Sequence, residues 1–299
     1  MEGEMQELLE LGLRIKRRDR IGIVILLIGF VSTIVLYNTP VFAIGIGIIV
    51  AGIIQLCVTS FTLEKKYRRQ YKETMVNHVA KEFFEDFTYS PEKGFTKQYL
   101  NDMGIMSFGN EYKSEDMLSG VCSGVQFSRA DVYIADTSTD SEGHSSTTVY
   151  FEGQWIEFEP HKRFGSDLQI IQKGFGFSKK RKGFWVKKEL RRHELETEDV
   201  DFNKRFTCMC QNDAEAFYLL TPSLMQAIRE LTEVLPYKMM VAFVNRTMHV
   251  LIDTKRDSLE PSAPKGGNFD RQIADVRQDI GMIPMIIQKL GVDKTLYRE

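Results

Sequence analysis

Sequence signatures of chemistry are scarce in this chain of 299 residues. Its four cysteines have no framework spacing and form no CxxC pair, which excludes a disulfide scaffold and fits a reducing compartment. The five histidines are scattered, and neither HExxH nor GxSxG occurs, so the common zinc-peptidase and serine-hydrolase arrangements have no support. His144-Ser145 is a poor nucleophile–base pair, because adjacent side chains rarely align. Charge is missing from two stretches, Ile21–Tyr37 and Val41–Thr59. Beyond them the chain lacks a basic excess. Residues 1–72 hold ten Lys or Arg against six acids, a net of +4, and the remainder carries −6 of the chain's total of −2. A mildly acidic main part argues against a dedicated nucleic-acid binder, and no nucleic-acid partner is expected.

The two uncharged stretches, of 17 and 19 residues, approach the roughly 20 needed to cross a bilayer core. They are joined at Asn38-Thr39-Pro40, which suits a tight turn. The expectation is therefore a transmembrane helical hairpin. Five basic residues precede the first span, five follow the second and none lies between, which predicts both termini on the cytoplasmic side. The basic N-terminal segment reads as a cytoplasmic helix rather than a cleaved signal, because the nearest small-x-small site, Ala43-Ile44-Gly45, would cut into the second span. Ala43, Gly47 and Ala51 form a small-residue stripe suited to close helix packing, against the first span or against another copy in a homo-oligomer.

From Leu63 to about Tyr89 apolar residues recur at helical spacing, predicting a stalk helix that Pro91 and Gly94 terminate; Thr96–Met106 predicts a shorter helix. Past Gly120 the period falls to two. Val121–Ala135 and Thr147–Glu159 are expected strands flanking a polar loop, Asp136–Ser146, with Leu168–Gln172, Phe184–Lys188 and Phe206–Cys210 as three more. Thr221-Pro222 reads as N-cap and first residue of a helix running to about Val234, with a buried stripe of Leu224, Ile228, Leu231 and Leu235. Met239–Val244 and Met248–Ile252 predict a hairpin turning near Asn245-Arg246. A polar linker, Asp257–Asn268, leads to an amphipathic helix, Arg271–Leu290, whose stripe is Ile273, Val276, Ile280, Ile283 and Ile287.

The predicted fold class is α+β: an N-terminal two-helix transmembrane hairpin followed by a cytoplasmic domain with a mostly antiparallel sheet and flanking helices. The expected division is an N-terminal cytoplasmic segment 1–20, the hairpin 21–59, stalk and short helix 60–110, the α+β domain 111–256, and linker with C-terminal helix 257–299.

Several segments together carry a resemblance. They are Phe151-x-Gly153-x-Trp155, the stretch Glu198-Asp199-Val200-x-Phe202-x-x-x-Phe206, and above all Asp213-x-Glu215-Ala216-x-Tyr218-Leu219-Leu220-Thr221-Pro222. With the order of parts, they resemble the bacterial membrane proteins catalogued as domain of unknown function 3137, over most of residues 60–255. The resemblance implies a bacterial inner-membrane protein with a cytoplasmic domain, and it brings no catalytic residues to carry over.

Candidate chemistry is thin. Cys208 and Cys210 lie two apart on a predicted strand and so share a face, as two metal ligands or as core residues; His193 and His161 have no motif spacing to them. Asp199-x-Asp201, and Asp136, Asp140 and Glu142 in the loop, lack the spacing of a calcium site. Gly174-Phe-Gly176 precedes Lys179, Lys180, Arg181 and Lys182, a run that is neither a Walker loop nor a dinucleotide fingerprint and reads by default as a solvated hairpin tip; with Lys187, Lys188, Arg191 and Arg192 it also forms a basic cluster suited to anionic lipid heads or to pairing with the acidic stretch Glu194–Asp201. No catalytic residue, metal or cofactor is expected. The expected role is a membrane-anchored binding or scaffold protein whose partners are membrane lipids and an unidentified protein. The alternatives are a membrane-bound enzyme without a recognisable motif and a transporter or channel accessory subunit, the latter disfavoured by spans without an ionisable residue.

Overall fold

The computed structural model describes residues 2–37, 39–159, 167–176, 192–260 and 269–292. Contacts divide the chain into two units, Met1–Val79 with Leu259–Val276, and Ala80–Ser258 with Arg277–Glu299.

The first unit is helical. Helix α1 (Glu2–Val35) turns back into α2 (Ala43–Val58), which passes through a π-helical turn, Thr59–Glu64, into α3 (Lys65–Phe83). The continuous helix Ala43–Phe83 is long and apolar enough to cross a membrane. By the same measure α1 is not. It ends at Val35, so its uncharged part is only Ile21–Val35, preceded in the same helix by Arg17, Arg18, Asp19 and Arg20. Where the sequence predicts two spans, one helix qualifies among the described residues.

Helices α1 and α2 nevertheless pack closely, through glycines. A Cβ at Gly29 would sit 2.7 Å from the backbone nitrogen of Ile49, and one at Gly45 would sit 2.6 Å from that of Thr33. The expected stripe of Ala43, Gly47 and Ala51 does not face α1. All three are exposed, and a Cβ at Gly47 would meet nothing within 4 Å. Gly45 and Gly52, seven residues apart and both buried, form the contact line instead. The four-residue spacing in the sequence is real but does not say which face meets a neighbour. Further along, Tyr67 and Tyr71 stack with ring centroids 6.3 Å apart, and buried Lys72 pairs with Glu260 at 2.6 Å.

Among the described residues the second unit is built on a nine-stranded sheet in which every pairing is antiparallel. The strands are β1 (Phe87–Ser90), β2 (Glu111–Cys122), β3 (Val125–Thr139), β4 (Ser145–Glu159), β5 (Leu168–Gln172), β6 (His193–Leu195), β7 (Phe206–Cys210), β8 (Lys238–Val244) and β9 (Thr247–Asp253). Their order across the sheet is β1-β2-β3-β4-β9-β8-β5-β7-β6. Short helices α4 (Lys97–Asp102), α5 (Val200–Arg205) and α6 (Asp213–Leu219), then α7 (Pro222–Val234) and α8 (Phe269–Leu290), complete the fold.

Several boundaries depart from the sequence expectation. The stretch expected as one strand, Val121–Ala135, is interrupted by a turn. Ser123 and Gly124 take φ of 52° and 78°, the double left-handed conformation that closes a two-residue hairpin between β2 and β3. The stalk helix ends at Phe83 instead of Tyr89, because Phe87–Ser90 pairs with β2 as an edge strand. The β3–β4 register continues to Thr139↔Ser145, leaving a loop shorter than Asp136–Ser146. Strand Phe184–Lys188 lies outside the described residues. Two expectations hold closely: the Thr221 hydroxyl caps α7 by accepting from the Leu224 amide at 3.2 Å, and Asn245 and Arg246 turn β8 into β9 at φ of 49° and 67°.

Strand alternation sorts the core. On one face Ala130, Val132, Ile134, Phe151, Trp155, Met240, Ala242, Val244 and Leu251 gather with Phe95, Leu100, Met103, Ile105 and Met106 from around α4. Trp155 is fully buried, with its ring edge-on to Phe151 at 6.2 Å. Gly153 lies between them because β9 runs too close for any side chain: a Cβ there would be 2.1 Å from the carbonyl oxygen of Ile252. The opposite face carries Phe127, Ile156, Phe158, Val250, Ile252, Val241 and Phe243, all buried, along with Arg129 and Asp131. The latter two make a buried charge pair, Arg129 Nη2 donating to Asp131 Oδ1 at 2.9 Å, and Arg129 Nη1 donating to the Asp116 carbonyl at 3.3 Å.

Candidate functional site

At the far edge of the sheet, β6 pairs antiparallel with β7 so that His193 lies directly opposite Cys210, and Leu195 opposite Cys208. The chain leaves β7 at Cys210 and starts α6 three residues later. Asn212 is its N-cap, its side-chain oxygen accepting from the amides of Ala214 at 3.0 Å and Glu215 at 3.4 Å. That cap fixes Asp213 on the first helical turn, facing back to the strand. The result is one cluster of three side chains from three elements. His193 Nε2 lies 2.5 Å from Asp213 Oδ1 and 3.7 Å from Cys210 Sγ, while Sγ lies 3.4 Å from the same Oδ1.

Burial pushes the Cys210 thiol up to about 11, helped by its bond to Asp213 and that group's negative charge. Bonds from His193 and Cys210 hold the Asp213 carboxyl below its ordinary value. This is not a nucleophile–base–acid relay. In a relay the imidazole uses one nitrogen toward the nucleophile and the other toward the acid. Here both partners converge on Nε2. His193, Cys210 and Asp213 offer three ligand atoms within 4.8 Å of one another, His193 and Asp213 being exposed and Cys210 buried.

The other sequence candidates separate. Cys208 shares a strand face with Cys210 as expected, but it points into the core, where burial pushes its thiol up to about 12. Asp199 is structural: its Oδ1 caps α5 by accepting from the Phe202 amide at 2.9 Å, and its Oδ2 accepts from Arg229 at 2.6 Å. Asp201 pairs with Lys204 on the surface at 2.9 Å. Asp140 Oδ1 accepts from the amides of Glu142 and His144, a local turn. Of the basic cluster, Lys179, Lys180, Arg181, Lys182, Lys187, Lys188 and Arg191 lie outside the described residues. Arg192 is turned inward, pairing with Asp167 and donating to the Gly104 carbonyl at 2.8 Å, with 7% of its side chain exposed. Its charge serves the fold.

Among the described residues the sheet unit opens into clefts. One is lined by Lys113, Glu115, Asp131, Glu152, Arg256 and Asp257, a second by Phe87, Tyr99, Gln126, Glu157 and Thr247 among others. Beside the second, Tyr99 donates to Glu157 Oε2 at 3.1 Å and His249 Nδ1 lies 3.2 Å from Glu157 Oε1.

Residues 149–292 match the family model described as Protein of unknown function (DUF3137). The match spans slightly less than half of the chain. The DUF3137 stretch begins inside β4 and contains His193, Cys210 and Asp213, whereas β1 to β3 precede it. A search of curated proteins found no match. Among solved structures, the mycobacterial trehalose monomycolate transport factor A, TtfA, aligns with 75% of this chain and 97% of its own, at 9% identity and a TM-score of 0.35. A likeness that distant carries no statement about activity.

Proposed function

We propose that this chain is a multi-pass protein of the bacterial inner membrane, with both termini cytoplasmic, whose sheet unit acts as a binding or scaffold module. The observation that carries the reading is the exposed apolar surface of the helical hairpin. Leu27, Phe30 and Ile34 on α1 are 60%, 61% and 61% exposed, and Ile44 and Ile54 on α2 are 58% and 56% exposed. Burying one such side chain is worth about 1.5–3 kcal/mol, so a band of a dozen left in water forfeits tens of kcal/mol. A lipid interior would supply the cover that the described residues do not.

The first span is short. Ile21–Val35 rises about 22 Å at 1.5 Å per residue, against a hydrocarbon core of about 30 Å. Arg18 and Arg20 at its start support its use as a span, since long cationic side chains reach the interface from inside the boundary and let the bilayer thin locally. Asn38-Thr39-Pro40 would then lie on the outer side.

The test uses full-length protein in cells, with Cys57 replaced by serine and one cysteine introduced. Alkaline carbonate should leave the protein in the membrane fraction, and Thr39→Cys but not Glu4→Cys should react with a membrane-impermeant maleimide applied outside. Extraction by carbonate sinks the anchor; labelling of Glu4→Cys sinks the orientation. For the binding role, cross-linking in the native membrane should yield a reproducible protein adduct on the sheet unit, and its absence across linkers of different length counts against a scaffold.

A further inference from the structure

We infer that His193, Cys210 and Asp213 bind one divalent transition-metal ion of the zinc class, clamping the edge strand β6 to β7 and to the start of α6 and leaving a coordination position open to solvent. The argument is geometric. A tetrahedral site with bonds of about 2.3 Å to sulfur and 2.0–2.1 Å to nitrogen and oxygen has sulfur edges of about 3.6 Å and a nitrogen–oxygen edge of about 3.3 Å. The sulfur edges here are 3.7 and 3.4 Å, already at that length. The nitrogen–oxygen edge, 2.5 Å, is a hydrogen bond through the proton a metal would replace, and it must lengthen by about 0.8 Å. His193 and Asp213 have side chains 55% and 58% exposed, so they can yield that distance, while buried Cys210 is fixed by the β6–β7 register.

The donor set selects the ion. One thiolate, one imidazole and one carboxylate are too soft for calcium or magnesium, which take oxygen ligands, and too mixed for copper(I), which favours sulfur. Zinc accepts all three. Three protein ligands with an open fourth place is the arrangement in which zinc holds a water or an incoming ligand. The convergence of Sγ and Oδ1 on a single imidazole nitrogen, rather than on both, is what a shared ion requires. Cys208 lies outside this set, pointing into the core.

The test uses full-length protein in detergent, stripped with chelator under reducing conditions and titrated with cobalt(II). A thiolate-to-cobalt charge-transfer band saturating at a single equivalent, displaced by zinc(II), is the expected result. Cys210→Ser should lose the band and Cys208→Ser should keep it. His193→Ala and Asp213→Asn change exposed side chains without disturbing the core. Because loss of an outer partner alone weakens metal binding about 10–100-fold, each should weaken zinc at the upper end of that range or beyond, read by competition with a chromophoric chelator. No charge-transfer band in the unaltered protein overturns the assignment, as does a band that survives Cys210→Ser or zinc affinity unchanged in His193→Ala.

Discussion

Replacing Arg129 by methionine tests the energetic logic of the sheet's polar face. Arg129 is completely buried on β3, and its guanidinium is shared between the Asp131 carboxyl and the Asp116 carbonyl. Asp116 sits in the β2 bulge with φ of 61°, its carboxylate taking the Tyr89 hydroxyl at 2.5 Å. Desolvation pushes the Asp131 carboxyl up to about 7, against the pull of Arg129, with Asp116, Asp257 and Asp279 adding to the rise. The folded state therefore holds this proton more tightly than the unfolded chain, in which Asp titrates near 3.9. Its contribution to stability is fully present below about pH 4 and is lost as pH rises through about 7. At 1.36 kcal/mol per pH unit, about 4 kcal/mol disappears across that window.

Methionine fills the space of Arg129 without its charge. At pH 8 the variant leaves a buried carboxylate unpaired, which costs about 3–5 kcal/mol. At pH 5 Asp131 is neutral in both proteins, and only the hydrogen bond and its desolvation are lost, about 1–3 kcal/mol. For a unit of this size 1 kcal/mol moves Tm by about 2–4 °C, so the variant should melt roughly 10 °C below the unaltered protein at pH 8 and several degrees closer to it at pH 5. Adding Asp131→Asn removes the orphaned charge. The double variant should recover much of the loss at pH 8, and Asp131→Asn alone should flatten the stability profile between pH 4 and 7. Thermal unfolding in detergent, followed by near-ultraviolet circular dichroism, reads all four proteins. An Arg129→Met penalty identical at pH 5 and pH 8, with no rescue by the second substitution, would refute the reasoning.

Three further predictions rest on separate features. Trp155→Ala removes the largest fully buried side chain in the sheet core and should cost about 3–5 kcal/mol in the same assay; a loss under 1 kcal/mol would mean the core collapses onto the site. Gly45→Leu drives a side chain into the Thr33 backbone and should break the α1–α2 contact, exposing the hairpin turn to limited proteolysis, whereas Gly47→Leu should leave the digestion pattern unchanged. Replacing Lys179, Lys180, Arg181 and Lys182 by glutamate should lower the anionic share of phospholipid that co-purifies with the full chain in mild detergent; an unaltered share removes the lipid-contact reading of this run.

The elements legible in the sequence are those whose pattern is local. Leu168–Gln172 and Phe206–Cys210 alternate over a short apolar run and appear with the expected bounds, and α7 carries both its cap and its stripe within one window. Strand β2 is illegible because its first half is polar, with Glu111 and Lys113 exposed and Ser114 and Glu115 half-buried, and because the bulge at Asp116 breaks its period. Strand β1 was hidden by Phe83, Phe84 and Phe87, whose spacing suits a helix until cross-strand pairing overrides it.

The His193–Cys210–Asp213 cluster was half legible. Cys210-Gln211-Asn212-Asp213 contains a strand end, a helix cap and two donor atoms within four residues, which is a readable signal. What the sequence withholds is His193, seventeen positions earlier and brought opposite Cys210 only by a three-residue edge strand. The same edge gives the cluster its consequence. A strand this short has little of its own to hold it, offering three register positions against β7. Tying His193 to the start of α6 fixes that edge in place. If the metal is bound, its loss should free β6 first, and amide hydrogen exchange at Glu194 and Leu195 should quicken on chelation while β8 and β9, inside the sheet, stay protected. Equal exchange in β6 with and without metal would separate the two ideas, leaving a surface ion site that holds nothing in place.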